Sequence, residues 1–126
     1  MQLFHVYRKM KYWNTTRCYK IKHLAYTGED MEVGYEEKFD DLVIMLSDDY
    51  EYDRSIEIEA GFIVDVDKKG KLCAIEIVGC SKRINKSKKY IKNAKIEAFV
   101  EIYDFSYMIT IDFNNGEAKI SQRVLK

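Results

Sequence analysis

The sequence predicts an α+β fold that is mostly antiparallel β, with hairpins, one short helix and a C-terminal three-stranded meander. Apolar residues recur at every second position through much of the chain, which is the period of a half-buried strand. Turn-forming pairs that contain glycine separate several of these segments, and the chain has no proline. With 126 residues, 47% of them hydrophobic and 33% charged, it suits a single domain over residues 1–126.

The clearest local pattern is a hairpin centred on Asn115 and Gly116. Apolar and polar residues alternate on both sides of this pair, and both residues tolerate the positive φ of a two-residue type I′ turn. That turn pairs Asp112 with Lys119 on one face and leaves the other face apolar. Gly116 is therefore expected to be structural, and the alternating segment 96–103 supplies the third strand of the meander.

The one helix is expected immediately before the meander. Ser87 is a suitable N-cap and Asn93 a suitable stop. Between and just beyond them, Tyr90, Ile91 and Ala94 form an apolar stripe that would face inward.

Other strands are expected along the rest of the chain. The continuous apolar run 42–46 predicts a strand buried on both faces, and 55–60 alternates. Segments 3–7 and 18–24 indicate two further strands, with a helix as the alternative.

Residues 65–76, DVDKKGKLCAIE, have the spacing of a calcium-binding loop but favour a hairpin. Lys69 stands at a position where a calcium loop needs an oxygen ligand, and β-branched segments flank the loop where helices would be required. A three-residue turn explains the stretch better, with Gly70 in the left-handed conformation and Asp67 capping the turn. Gly70 is therefore expected to be structural, and no metal is predicted.

This hairpin is expected to lie centrally, because both of its faces are largely apolar. In the expected register Val64 opposes Ala74 and Phe62 opposes Glu76. Glu76 is the exception in an apolar strand, and buried glutamate is rare unless it is paired. A structural carboxylate is predicted, which should reach a basic partner, a backbone amide or the solvent rim; Lys82 and Arg83 are the natural candidates for a basic partner.

Charge is unevenly distributed, although the formal net charge is zero. Residues 29–67 hold fifteen acids and two bases, whereas residues 68–95 hold ten bases and one acid. The acidic run is either a solvated loop or a docking surface; it comprises Asp48, Asp49, Tyr50, Glu51, Tyr52 and Asp53. The basic segment 82–95 either contacts phosphates or pairs internally; it comprises Lys82, Arg83, Lys86, Lys88, Lys89, Lys92 and Lys95.

Several classes of function are disfavoured. The three cysteines and two histidines have no ligand or catalytic spacing, and no phosphate loop or nucleophile motif appears, so no catalytic residue and no cofactor is predicted. An odd set of cysteines indicates free thiols in a reducing compartment. No apolar run approaches the roughly 20 residues of a membrane helix, and no signal layout is found, which together predict a cytoplasmic protein with no membrane partner.

Two segments, YEEKFDDLVIMLSD and EAGFIVDVDKKGKLCAIEIVGCSKRI, carry a resemblance to a known family. They resemble the YuzE-like family of small uncharacterised microbial proteins over residues 35–84. The matching positions are Tyr35, Glu36, Asp41, Leu42, Gly61, Ile63, Asp65, Gly70, Ile75, Glu76, Ile77, Ser81, Lys82 and Arg83. The resemblance implies a compact β-rich domain without an assigned activity, and small toxin-like proteins as a partner class. It divides the chain into an N-terminal extension (1–34), this core, and a helix plus meander (85–126).

These patterns together predict a non-enzymatic protein-interaction module, acting as a homodimer or with another protein partner. Small β domains with open sheet edges often associate in this way. The alternative is nucleic-acid binding through residues 82–95.

Overall fold

The computed structural model describes residues 32–47 and 51–126, together with the backbone of residues 15–17. These residues form two antiparallel sheets and two short helices. In chain order the elements are β1 (Thr15–Arg17), β2 (Glu32–Glu36), β3 (Asp41–Met45), β4 (Tyr52–Glu59), β5 (Phe62–Asp67), β6 (Leu72–Val78), α1 (Cys80–Ile84), α2 (Lys88–Asn93), β7 (Ile96–Ile102), β8 (Ser106–Phe113) and β9 (Ala118–Leu125). The predicted α+β fold with a three-stranded meander is confirmed.

Strands β1 to β6 form the larger sheet, in the order β1-β2-β3-β6-β5-β4. Strand β6 lies in its interior between β3 and β5, as its apolar composition predicts, and its residues from Leu72 to Ile77 are buried. Strand β3 is buried on both faces, which confirms the interpretation of residues 42–46. Strand β2 was not predicted, because its five residues include a glycine and two acids. Its pairing with β3 holds it in the sheet.

Strands β7, β8 and β9 form the meander in sequential order. The expected register is confirmed, since Asp112 pairs with Lys119 and β8 is joined to β9 through a turn at Asn115 and Gly116. Asn114 also has a positive φ, of 52°. Asparagine is one of the few residues with a side chain that adopts this conformation readily.

The β5–β6 hairpin has the expected turn but a different register. Gly70 has a φ of 80°, and one oxygen of Asp67 accepts hydrogen bonds from the amides of Lys69 and Lys71, both at 2.9 Å. A bulge next to the turn places one extra residue, Cys73, in β6.

Because of this bulge, the register between β5 and β6 differs from the predicted one. Val64 faces Ile75 and Phe62 faces Ile77, so the large apolar side chains share one face of the sheet. Glu76 consequently pairs with Ile63 and lies on the opposite face.

Two helices occur where one was predicted. Helix α2 begins after Ser87, whose hydroxyl accepts the Tyr90 amide at 3.0 Å, and it ends at Asn93 as expected. Helix α1 is a single additional turn that follows Gly79, a residue with a φ of 71°. Its short length gives no helical periodicity, which is why the sequence pattern did not reveal it.

The two sheets share one hydrophobic core. The larger sheet contributes Leu42, Ile44, Phe62, Val64, Ile75 and Ile77; helix α2 contributes Ile91; and the meander contributes Ala98, Val100, Ile109, Ile111 and Phe113. The core fills the space between the inner faces of the larger sheet and the meander, and the edges of the strands lie outside it.

Some predictions fall outside the described residues. They are the strands expected at 3–7 and 18–24, and the positions of Asp48, Asp49 and Tyr50. Among the residues that are described, neither helix is long and apolar enough to cross a membrane.

Candidate functional site

The basic segment 82–95 is partly engaged in contacts within the fold. Arg83 donates to one carboxylate oxygen of Glu59 through two guanidinium nitrogens, each at 2.7 Å, and its guanidinium lies 5.8 Å from the centre of the Phe62 ring. Lys92 lies 3.4 Å from a carboxylate oxygen of Glu37. Arg83 thus fastens α1 to the end of β4, which is one of the two roles that the sequence left open.

The other basic side chains of this segment face solvent. Lys86 lies 5.1 Å from the centre of the Tyr90 ring. In the part of the chain that the structure describes, no ion pair involves the four remaining lysines, which are Lys82, Lys88, Lys89 and Lys95. They form a dispersed cationic surface on and beside the two helices.

Three residues of the predicted acidic run are described, and they make local contacts at the start of β4. Asp53 pairs with Arg54 at 2.7 Å. The hydroxyls of Tyr52 and Ser55 share a hydrogen bond of 3.0 Å, and the Glu51 carbonyl accepts the Lys68 amide at 3.2 Å. These contacts connect the run to the β5–β6 turn.

Glu76 is fully buried, and neither of its carboxylate oxygens has a hydrogen-bond partner among the described residues. Its predicted pairing with Lys82 or Arg83 is therefore wrong, and Arg83 binds Glu59 instead. Its diagonal neighbours on the sheet are two further acids, Asp41 on β3 and Asp65 on β5. The register change explains the error, because the bulge moves Glu76 to the face that these acids share.

Burial raises the pKa of Glu76 to about 8, and the negative charges of Asp41 and Asp65 add to this rise. Glu76 therefore holds a proton at neutral pH, because an isolated negative charge in the interior would be strongly unfavourable. Among the described residues, no group of three or more His, Cys, Asp or Glu side chains is arranged to hold a metal ion.

Asp40 is a structural residue that the sequence interpretation missed. It is buried, has a φ of 54°, and its carboxylate accepts the Ser81 hydroxyl at 2.7 Å, the Ser81 amide at 3.0 Å and the Tyr35 hydroxyl at 2.5 Å. Its carbonyl accepts the amides of Gly79 and Cys80. Asp40 thereby holds the first residues of α1 against the β2–β3 turn, and burial together with Asp40 raises the pKa of Tyr35. Asp40 and Asp41 are adjacent in the sequence, and no sequence pattern shows which of the two accepts the hydrogen bonds from Ser81 and Tyr35.

The two remaining structural predictions concern glycine at hairpin turns. Gly70 and Gly116 both have positive φ, of 80° and 92°. The Gly70 carbonyl also accepts the Tyr107 hydroxyl at 3.3 Å, which ties this turn to β8.

Two of the three cysteines lie in the described part, and both are buried free thiols. Burial raises the pKa of Cys73 and of Cys80 to about 12. A thiol in that state is protonated at neutral pH and is a poor nucleophile.

Exposed apolar side chains concentrate at one end of the meander. Phe105 is 82% exposed and Leu125 is 74% exposed, and Tyr103 is exposed beside them. The three are held together because Ser106, next to Phe105, pairs with Leu125, and the Tyr103 amide donates to the Ser106 carbonyl. Tyr103, Phe105 and Leu125 are called the apolar tip below.

A groove of about 280 Å³ adjoins the apolar tip. It lies between the β4 edge of the larger sheet and the β9 edge of the meander. Its lining consists of Arg54, Ile56, Val66, Lys69, Gly70, Tyr107, Val124, Leu125 and Lys126. It is called the cationic groove below, since its only charged lining residues are basic. Sequence patterns gave no sign of it, because its residues come from four separate segments.

The fold and this surface define a β-rich domain with an open groove between two sheet edges. Residues 33–81 match the model of a family described as a protein of unknown function (DUF2283). This similarity runs from the second residue of β2 through β6 to the first two residues of α1, and it supports an uncharacterised domain over this part of the chain. No curated protein and no solved structure matches the chain.

Proposed function

We propose that the chain is a single-domain, non-enzymatic protein-interaction module that acts in the cytoplasm. The observation that carries this proposal is the apolar tip, where Phe105 and Leu125, on neighbouring segments of the chain, expose 82% and 74% of their surface. Clustered exposed apolar side chains are typical of surfaces that bind another protein.

The polar groups most suggestive of chemistry have structural roles, which supports a binding function over catalysis. The Asp40, Ser81 and Tyr35 side chains are hydrogen-bonded to one another and hold α1 in place. Cys80, beside them, is a buried protonated thiol.

The class of partner is a finer part of the proposal. The order of the glycine turn, the Ile75-Glu76-Ile77 strand and Ser81 supports a relationship to the YuzE-like family. That relationship favours a small toxin-like protein as partner. A second copy of the chain is the other protein that the exposed tip would accept.

Nucleic-acid binding is the second candidate, and it is supported by the exposed lysines on α1 and α2. Stacking surfaces for bases are less evident there. Tyr90 is the aromatic residue of this segment, and its hydroxyl donates to Glu117 at 2.7 Å while Lys86 lies over its ring. Bases of single strands need free aromatic faces for stacking.

The proposal is tested by capturing partners from cells that naturally produce the protein, with and without nuclease. Three forms are compared: the wild type, Phe105→Ser, and Lys88→Glu combined with Lys89→Glu. We expect a protein that survives nuclease treatment, is lost with Phe105→Ser, and is retained by the double lysine variant. The captured protein is then purified and its affinity for each form is measured by calorimetry.

Two results would count against the proposal. Capture that disappears with nuclease and with the double lysine variant would assign the function to nucleic-acid binding. Capture that is unchanged by Phe105→Ser would remove the apolar tip from the interface.

A further inference from the structure

The cationic groove occurs where the two sheets diverge. Strand β4 has a neighbour on one side only, β5, and β9 likewise has only β8, so both are edge strands among the described residues. Their inward-facing side chains, Ile56 on β4 and Val124 on β9, form part of the groove floor. Near the far end of β4, Arg83 of α1 contacts Glu59, and neither residue lines the groove.

The floor of the groove is aliphatic and its rim is basic. Ile56, Val66, Val124 and Leu125 provide apolar surface, and the charged lining residues are Arg54, Lys69 and Lys126, with no carboxylate. The basic character of the rim is opposite to that of the surrounding sequence, because β4 belongs to the stretch 29–67, which has fifteen acids and two bases. The strand directs Glu57 and Glu59 elsewhere and presents Arg54, a rare base of that stretch, to the groove.

The rim cations are available to a ligand to different degrees. Lys69 stands at the β5–β6 turn, where the described residues offer it no ion pair. Lys126 lies over the Tyr107 ring at 5.1 Å, and no acidic side chain of the described residues forms an ion pair with it. Arg54 pairs with the exposed Asp53, and an exposed pair of this kind contributes about 0–1 kcal/mol, so it can exchange partners readily.

The size of the groove limits its occupant. Sites for cofactors and drug-sized ligands usually span roughly 300–1,000 Å³. At about 280 Å³ this groove is at the lower end, and it suits one or two side chains of a peptide. Leu125 belongs both to the groove and to the apolar tip, so the groove adjoins the surface that carries Phe105.

The chemistry favours an acidic peptide over a nucleic acid. A nucleic acid would also satisfy the cations, but its bases require aromatic faces. Tyr107, which lines the groove, has Lys126 over its ring, and Tyr103 of the apolar tip has Arg123 over its ring at 5.4 Å. An aliphatic floor instead fits leucine-like or phenylalanine side chains, and a basic rim fits the aspartate or glutamate residues between them.

We propose that the cationic groove binds a short extended segment of a partner protein in which acidic residues alternate with large apolar ones. Its apolar side chains enter between Ile56 and Val124, and its carboxylates contact Lys69, Lys126 and Arg54. This inference rests on the proposed interaction function and specifies the partner's binding segment.

The test is selection from a library of random twelve-residue peptides displayed on phage, using the intact chain as bait. We expect the wild type to enrich peptides in which acids and large apolar residues are interleaved. A synthetic copy of the most enriched peptide is then titrated by fluorescence anisotropy. Lys69→Glu combined with Lys126→Glu should weaken its binding at least tenfold, and Leu125→Ser should also weaken it.

A matched control separates the groove from net charge. Lys88→Glu combined with Lys89→Glu makes the same charge change away from the groove and should leave the affinity within twofold. Thermal unfolding of every variant verifies that each remains folded. An equal loss in both double variants would overturn the inference, as would enrichment of basic peptides or no enrichment at all.

Two further outcomes also overturn it. Displacement of the peptide by an oligo-dT strand at lower concentration would assign the groove to nucleic acid, and a concentration-dependent dimer abolished by Lys69→Glu with Lys126→Glu would assign it to a second copy. Failure of the inference is distinguishable from failure of the proposed function. If a captured protein is lost with Phe105→Ser but retained by the groove variant, the module binds a protein elsewhere than in the groove.

Discussion

Residues 33–81 and residues 82–126 differ in how many polar groups they bury and in how far they expose large apolar side chains. The first region buries polar and charged groups, namely Asp40, Asp65, Glu76 and Ser81. The second region buries only Glu97 and Ser106 of this kind, and it carries the two most exposed large apolar side chains of the described residues, Phe105 at 82% and Leu125 at 74%. Buried polar groups constrain a fold because each requires compensation, whereas exposed apolar groups contribute little to folding and are suited to binding.

This difference coincides with the similarity to known sequences. The match ends at Ser81, so it covers four of the six buried polar residues of the described chain and excludes the apolar tip. The cationic groove is lined by both regions, by Arg54 to Gly70 from the first and by Tyr107 to Lys126 from the second. Residues 33–81, which match the family model, therefore provide the scaffold. The surface proposed to bind partners also needs residues 82–126, which lie outside the match.

The largest effect on stability is expected from Asp40→Ala. The change leaves the buried Ser81 amide and hydroxyl and the Tyr35 hydroxyl without their acceptor, and it places alanine at a φ of 54°. Each unsatisfied buried donor costs about 1–3 kcal/mol, so we expect the free energy of unfolding to fall by about 3 kcal/mol or more in urea titrations.

Asp40→Asn is the matched control for this change. Asparagine retains one acceptor oxygen and tolerates the left-handed conformation, so it should lose less stability than alanine. A loss below about 1 kcal/mol for Asp40→Ala would show that these hydrogen bonds do not hold α1 in place.

The next largest effect is a change in the pH dependence of stability with Glu76→Gln. The pKa of Glu76 is about 8 in the folded state against 4.5 for an unperturbed glutamate, so between these values the folded chain holds a proton that the unfolded chain has released. The free energy of unfolding therefore decreases as pH rises through this window, and the contribution is fully present only below pH 4.5.

Glutamine is neutral at every pH, so the free energy of unfolding of the variant should increase relative to that of the wild type as pH rises. Between pH 5 and pH 8.5 we expect a relative gain of at least about 1.4 kcal/mol, the equivalent of one pKa unit. Urea unfolding of both proteins at the two pH values measures it, and taking the difference cancels the other titrating groups. A difference that is the same at both pH values would mean that Glu76 is ionised in the folded protein.

A smaller effect is expected in the second region from Ser87→Ala. The change removes the hydroxyl that accepts the Tyr90 amide at the start of α2, which should cost about 1 kcal/mol. Ser87→Asp should instead match or exceed the wild type, because it keeps the cap and places a negative charge beside Lys88 and Lys89 in a first turn without acids. Equal losses from both changes would contradict the capping role.

Sequence patterns predicted the elements whose structure is determined locally. The Asn115-Gly116 turn fixed the pairing of Asp112 with Lys119, and Ser87 fixed the start of α2, since turns and caps depend on a few adjacent residues. The central position of β6 was also predictable from its apolar composition.

Features that depend on distant parts of the chain were not predictable in this way. The bulge at Cys73 changes the face on which Glu76 lies, and no local pattern distinguishes it from a regular pairing. The Asp40–Ser81 contact joins residues 41 positions apart, and the cationic groove combines four segments. Sequence analysis identified charged segments but had no means of showing which charges would converge.

The same substitution at two phenylalanines provides the most direct test of the difference between the regions. Phe62 of the first region is fully buried in the shared core, so Phe62→Ser should lower the free energy of unfolding by about 3–5 kcal/mol or prevent folding. Phe105 of the second region is 82% exposed, so Phe105→Ser should change stability by no more than about 0.5 kcal/mol, measured by urea unfolding, while removing the partner contact at the apolar tip. A loss of stability at Phe105 comparable to that at Phe62 would mean that the tip packs against the fold, and its role as a free binding surface would then have to be abandoned.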